Sequence, residues 1–240
     1  MMMTDIKFSI VLPCYNEAEN LPLILDRYAS VIRKDIKTEL ILVNNGSTDN
    51  SASVLEELLK KEEYSFARTV LVEKNVGYGH GIFTGIKTAK GEFIGFSHAD
   101  MQCPAEDLFK AYDLITSQPE PEKAFVKGRR LNRELGPSVI TVGMSIMAST
   151  ILTRVLTDIN AQPKVFHRSH FERMKEPPNG FEFDLYVIYL AKKANLKILT
   201  IPVVFGRRAH GVSKWAFSFI SRYKTILAMM KYIFKLRFTV

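Results

Sequence analysis

Three short segments hold residue types that act on phosphates and metal ions. His98-Ala99-Asp100-Met101-Gln102 sets an imidazole, a carboxylate and an amide two residues apart. On a strand or strand end, alternate positions share a face, so His98, Asp100 and Gln102 could share a cation. Imidazole suits Mn²⁺ better than Mg²⁺, which prefers oxygen ligands. A Mn²⁺ site is therefore expected, with Mg²⁺ the alternative. The plainer reading is a satisfied strand-end histidine beside a helix-capping Asp or Gln. Lys127-Gly128-Arg129-Arg130 and the segment Arg207-Arg208-Ala209-His210-Gly211-Val212-Ser213-Lys214 concentrate cations. Their guanidinium forks fit phosphate oxygens, although charged loops commonly just face water. Glu182 and Asp184, in Gly180-Phe181-Glu182-Phe183-Asp184, offer carboxylates that could serve as a base or as acids at a helix N-terminus.

The elements positioning these groups follow from hydrophobic spacing. Ile6–Leu12, Glu39–Val43, Ala67–Val72 and Glu92–Ser97 read as strands, separated by helical stretches over 21–32, 51–59 and 79–89. This β-α alternation implies right-handed crossovers and a mostly parallel sheet, with ligands beyond the carboxyl ends of its strands. Further on, helices are expected over 104–117, 138–157 and 183–194. Short strands are expected at 124–127 and 163–166, with a Pro202-interrupted edge strand at 196–205. Residues 215–240 read as a basic amphipathic helix, with Lys224, Lys231 and Lys235 opposite Trp215, Phe219, Ile226 and Met230. Such a helix suits either an anionic membrane surface or packing on the catalytic domain or a second subunit.

Composition narrows the classes. The 240 residues are 47% apolar, which fits one globular α/β domain with a tail and excludes a disordered chain. Cys14 and Cys103 are too few for a disulfide framework and fit a reducing compartment. No signal peptide is visible, and the uncharged stretch 135–153 is too polar to span a membrane, so it is expected to be a buried helix. A cytosolic location follows as the expectation. Residues 185–240 hold 11 Lys+Arg and no acid, against 22 Lys+Arg and 25 Asp+Glu before them. The basic excess therefore lies in the last quarter and points to an anionic partner.

Leu12-Pro13-Cys14-Tyr15-Asn16-Glu17, Val43-Asn44-Asn45-Gly46-Ser47-Thr48-Asp49, the 98–102 segment and Arg208–Lys214 occur in an order that resembles family 2 glycosyltransferases of the GT-A fold. The likeness is strongest to polyprenyl-phosphate sugar synthases of the dolichol-phosphate mannose synthase type. It covers residues 6–214, which would form the GT-A domain, with 215–240 as a separate tail helix. The resemblance implies that Pro13, Tyr15, Glu17, Asn45, Ser47 and Asp49 hold the nucleotide. Lys74 and Gly77 would lie beside it, where the Gly77-Tyr78-Gly79-His80-Gly81 cluster permits close backbone approach. It also implies that Asp100 carries the metal bridging the donor diphosphate, and that Arg129, Arg208 and Lys214 contact phosphates. Asn160 and Gln162 match an acceptor-side segment loosely. The sequence departs from the family where acidic pairs become Asn44-Asn45 and His98-Ala99-Asp100.

The activity so implied is inverting transfer of a sugar from a nucleoside-diphosphate sugar to a polyprenyl phosphate or similar lipid-linked acceptor; a UDP-sugar is favoured over a GDP-sugar, with no residue that decides between them. If the acceptor is instead a saccharide hydroxyl, a base is needed and Glu182 is the first candidate. A nucleotide-sugar-binding homologue without catalysis is the reading from another class. The expected setting is peripheral on the cytosolic membrane face, with a homo-oligomer allowed. No nucleic-acid partner is expected, since no RNA or DNA module is recognisable.

Overall fold

The computed structural model describes residues 5–131, 135–206 and 219–239. Seven strands form one sheet in the order β3-β2-β1-β4-β6-β5-β7. They are β1 (Phe8–Cys14), β2 (Thr38–Asn45), β3 (Ala67–Val72), β4 (Phe93–Phe96), β5 (Ala124–Arg130), β6 (Lys164–His167) and β7 (Lys197–Val203). Strands β3, β2, β1 and β4 run parallel to one another. β6 runs antiparallel to both β4 and β5, and β7 is parallel to β5. The expected mostly parallel α/β sheet is therefore present, with β7 and its Pro202 on the edge.

The helices are α1 (Leu21–Val31), α2 (Ser51–Leu58), α3 (Tyr78–Thr88), α4 (Glu106–Thr116), α5 (Leu135–Leu152), α6 (Phe183–Lys193) and α7 (Phe219–Thr239). They cover both sheet faces, so the strands read as nearly unbroken apolar runs. Alternation in β1 sends Phe8, Ile10 and Leu12 to one core with Leu25, Leu108 and Phe109, and Val11 to the other with Ile82, Phe166 and Phe183.

Two expectations about helix faces are corrected. α5 is not a buried helix: Ala148 and Leu152 are buried, while Val142 and Ile146 are exposed. In α7 the inward stripe is Met229, Ile233 and Leu236 rather than one through Ile226 and Met230. This spacing of four and three fits one helix face, and it packs α7 on the domain. Trp215 lies outside the described residues. Among the described residues no helix is long and apolar enough to cross a membrane.

His170 is buried against Phe125 and Phe166, with Nε2 3.1 Å from the Val187 carbonyl oxygen. Burial lowers its pKa to about 4. The unfolded chain takes up this proton near pH 6.5, whereas the folded chain resists until about 4. The stability linked to His170 is thus fully present above pH 6.5 and is lost progressively as pH falls towards 4. A His170→Phe variant, compared with wild type in urea melts at pH 7 and pH 4.5, should gain about 2 kcal/mol relative to wild type over that span.

Candidate active site

The loops leaving β1 and β2 are stitched to each other. Asn16, at φ 55°, occupies the left-handed region that Asn tolerates. Its N–H donates to Ser47 Oγ at 3.1 Å, and its Oδ1 accepts from Thr48 N–H at 2.8 Å. Glu17 N–H donates to Ser51 Oγ at 3.1 Å, and Ala18 N–H to Asp49 Oδ2 at 3.3 Å. Asp49 Oδ1 also accepts from the Ser51 N–H (3.0 Å) and hydroxyl (2.6 Å). Burial pushes the Asp49 carboxyl up, but these donors more than offset it and hold its pKa below the ordinary value. Ser47 and Asp49 therefore shape the cradle, while Pro13, Tyr15 and Glu17 stand half-buried on its rim.

The amide pair divides its work. Asn44 Oδ1 accepts from Ser47 N–H at 3.1 Å and closes the turn. Asn45, 3% exposed, donates from Nδ2 to the Gly77 carbonyl at 3.0 Å and so ties β2 to the start of α3. Gly77 has φ 141°, and a Cβ there would lie 2.2 Å from the Asn179 carbonyl oxygen. This close approach requires glycine. Lys74 is exposed, next to the Gly46 turn.

The strand geometry expected for residues 98–102 is not what forms. β4 ends at Phe96, and Met101 sits at φ 61°, so side-chain alternation stops before His98. A turn takes its place: Asp100, 6% exposed, accepts from Gln102 N–H through Oδ1 at 3.1 Å. Gln102 donates from Nε2 to the Gly206 carbonyl at 3.0 Å and accepts from Gly206 N–H at 2.9 Å. The His98 ring lies 5.5 Å from Tyr78 and 6.4 Å from Phe205. Burial lowers the His98 pKa against the opposing pull of Asp100, so its imidazole is neutral at neutral pH.

Arg129 is exposed, and the guanidinium turned towards this loop belongs to Arg130. Arg130 lies 4.2 Å over the Phe205 ring and donates from Nη2 to the Asn160 carbonyl at 2.8 Å. Glu182, at the N-cap of α6, is half-buried and folds over Gly180, where a Cβ would sit 2.2 Å from its Oε2. Asp184 is buried and pairs with Lys164, whose ammonium is 2.5 Å from its Oδ1. Sequence reasoning missed Lys164, Tyr78 and the inward role of Arg130. A Lys placed in a short apolar strand was the available signal for the first. Arg207, Arg208, His210 and Lys214 lie outside the described residues, but their segment starts at Gly206, held against Gln102.

A divalent cation meets a suitable donor set here. Asp100 brings a carboxylate, Gln102 an amide carbonyl and His98 a neutral imidazole, all chemically competent for Mn²⁺. Among the described residues no three His, Cys, Asp or Glu side chains form a closed metal site. Remaining positions would thus fall to ligand oxygens.

Residues 9–174 match the sequence profile of Glycosyl transferase family 2. An undecaprenyl-phosphate 4-deoxy-4-formamido-L-arabinose transferase of Pectobacterium atrosepticum is 31% identical over 90% of the chain and 65% of its own length. A dolichyl-phosphate beta-glucosyltransferase of Dictyostelium discoideum is 24% identical over 83% of the chain and 66% of its own. The chain thus spans about two-thirds of the length of these curated relatives. Glucosyl-3-phosphoglycerate synthase of Mycobacterium tuberculosis, solved with Mn²⁺, UDP and glucosyl-3-phosphoglycerate, superposes with TM-score 0.69 at 17% identity, over 96% of the chain and 81% of its own. A mannosyltransferase of Pyrobaculum calidifontis, solved with GDP-Man and Mn²⁺, gives 0.68 at 19% identity, over 95% and 64%. The shared architecture is the GT-A fold, and the chain belongs to glycosyl transferase family 2.

Proposed function

We propose that this protein transfers a sugar, with inversion, from a nucleoside-diphosphate sugar to a polyprenyl phosphate or a similar lipid-linked acceptor. The observation carrying this reading is the meeting of Asp100, Arg130 and Gly206 at the carboxyl end of β4, beside the stitched β1 and β2 loops. The names of the curated relatives support the lipid-phosphate acceptor. Of the solved structures that share the fold, the synthase carries UDP with Mn²⁺ or with Mg²⁺, and the mannosyltransferase carries GDP-Man with Mn²⁺. We favour UDP and Mn²⁺.

In this mechanism Pro13, Tyr15, Glu17 and Lys74 flank the nucleotide, and Asp100, Gln102 and His98 would hold the cation. That cation would supply Lewis-acid stabilisation of the leaving diphosphate. Arg130 adds fixed positive charge where the leaving group becomes more negative, and Arg208 would add to it. A phosphate acceptor is already ionised, so no general base is needed and Lys214 would position it. A saccharide hydroxyl would require a base, and Glu182 is the group available.

The testing experiment mixes purified protein with labelled UDP- or GDP-sugars, Mn²⁺ and undecaprenyl phosphate. Label entering the organic phase supports the proposal. Transfer only to a soluble saccharide would instead support the hydroxyl acceptor, and nucleotide binding without transfer or donor hydrolysis would support the non-catalytic reading.

Peripheral membrane contact through α7 is part of this reading. Phe234 and Phe238 are exposed on the same helix as Lys231, Lys235 and Arg237, and Val142 and Ile146 are exposed on α5, which packs against α7. Apolar side chains flanked by cations suit an anionic lipid surface. Co-sedimentation with phosphatidylglycerol vesicles is expected at low salt. A Phe234→Ser/Phe238→Ser variant should lose it at least fivefold, whereas equal sedimentation of variant and wild type would remove membrane contact through this face.

A further inference from the structure

Beneath the 98–102 loop lies a buried polar chain that the proposed chemistry does not use. Lys164 has no exposed surface, although it sits in β6 at the middle of the sheet, opposite Phe96 of β4. Its ammonium bonds to Asp184 Oδ1 at 2.5 Å and to the Ala161 carbonyl at 3.3 Å. The Gln162 Nε2 reaches the same Asp184 oxygen at 3.0 Å and the Tyr78 hydroxyl oxygen at 3.0 Å. The Tyr78 ring then packs against His98 at 5.5 Å and Phe181 at 5.3 Å.

The chemistry of this chain fixes its direction. Asp184 only accepts when ionised, so Gln162 must present its NH₂ group there, and a flipped amide would set oxygen against carboxylate. That NH₂ then donates to Tyr78 as well. The phenol accepts this bond, which fixes the hydroxyl and with it the ring. A buried ion pair seldom stabilises a fold more than apolar side chains of the same volume would. Stability alone therefore gives no reason for Lys164 and Asp184 to stand here. Positioning does, because the 98–102 loop has left β4 and its His98 ring packs on Tyr78, the end of this chain.

We propose that Lys164, Asp184 and Gln162 are positioning residues that act through the Tyr78 hydroxyl to fix the donor-binding loop carrying His98 and Asp100. The inference rests on the glycosyltransferase reading and predicts a distinct pattern. Tyr78→Phe removes only the hydroxyl, and Gln162→Leu removes the group that orients it. Each should lower kcat about tenfold and should weaken Mn²⁺-dependent nucleotide binding three- to tenfold. Because both act on one link, the double variant should lose about tenfold, not a hundredfold. Lys164→Met/Asp184→Leu should keep the wild-type melting temperature or exceed it and still lose kcat about tenfold, which a merely structural pair would not do.

Unchanged kcat and nucleotide binding in Tyr78→Phe would overturn the proposal, as would multiplying losses in the Tyr78→Phe/Gln162→Leu double variant. Should the Lys164/Asp184 double variant fail to fold, the two milder variants still decide the matter. A wild-type protein that binds no nucleoside diphosphate would overturn the functional reading itself. Normal turnover that is indifferent to Tyr78→Phe would overturn only the network.

Discussion

Replacing Asp100 by alanine is expected to lower sugar transfer by about 10²–10³-fold while leaving the fold intact. The carboxylate is the sole acidic side chain in the 98–102 loop, 6% exposed, with Oδ1 engaged by the Gln102 N–H. Loss of that backbone bond itself costs about 1 kcal/mol. Loss of the anionic ligand removes charge stabilisation of the departing diphosphate, worth about 3–4 kcal/mol in the transition state. The two costs separate in measurement. The melting temperature of the variant without ligands should stay within a few degrees of wild type, since about 1 kcal/mol moves a domain of this size by roughly 2–4 °C. Turnover at saturating donor should nearly vanish. Asp100→Ala with wild-type turnover would remove the metal-assisted mechanism.

The second large effect concerns stability. Asp184→Ala leaves the Lys164 ammonium buried without its carboxylate and strips Gln162 of one acceptor. Breaking one partner of a buried pair typically costs about 3–5 kcal/mol. For a chain of this length that corresponds to a melting temperature lower by roughly 6–20 °C. Burial already pushes the Lys164 ammonium towards its neutral form, with Asp184 pulling the other way. The uncompensated lysine is therefore expected to shed its proton in the variant. Calorimetry at pH 7 checks the figure, and a loss below about 1 kcal/mol would show that the pair is solvated or dispensable.

The contrast between these two sites explains how far the sequence could be read. β1 to β4 and the loops after them were legible because each strand is an apolar run closed by turn residues, and parallel topology sends those loops to one end. β6 was legible only faintly. It is four residues long and begins with Lys164, and periodicity gives no reason to bury a lysine at the centre of a sheet. Its partner Asp184 read naturally as an acid in the first turn of α6, since the pairing spans 20 residues and depends on the sheet order.

Arg129 and Arg130 show a finer limit. Neighbouring residues on a strand point to opposite faces, so a shift of one position reverses which guanidinium enters the site. The register of β5 against β7, with Arg129 opposite Pro202 and Arg130 opposite Val203, settles this, and no local pattern announces it. The same holds for α7, whose 21 residues carry apolar side chains on several sides. Packing against the core selects the stripe through Met229, Ile233 and Leu236. The His98 motif was recognised by its residues, but its geometry was not. The chain leaves the strand at Phe96, and the arrangement then depends on a turn at Met101 and a bond to Gly206, more than 100 residues away.

The central claim is a nucleoside-diphosphate site completed by a cation at Asp100. Thermal-shift binding of UDP, GDP and CDP, each with Mn²⁺ and again with EDTA, tests it most directly. A ligand at about 100 times its dissociation constant adds roughly 2.7 kcal/mol of stability, a shift of roughly 5–11 °C for a chain of this length. The account predicts such a shift for UDP with Mn²⁺, its loss with EDTA, and its loss in Asp100→Ala. No shift with any of the three nucleotides would contradict it.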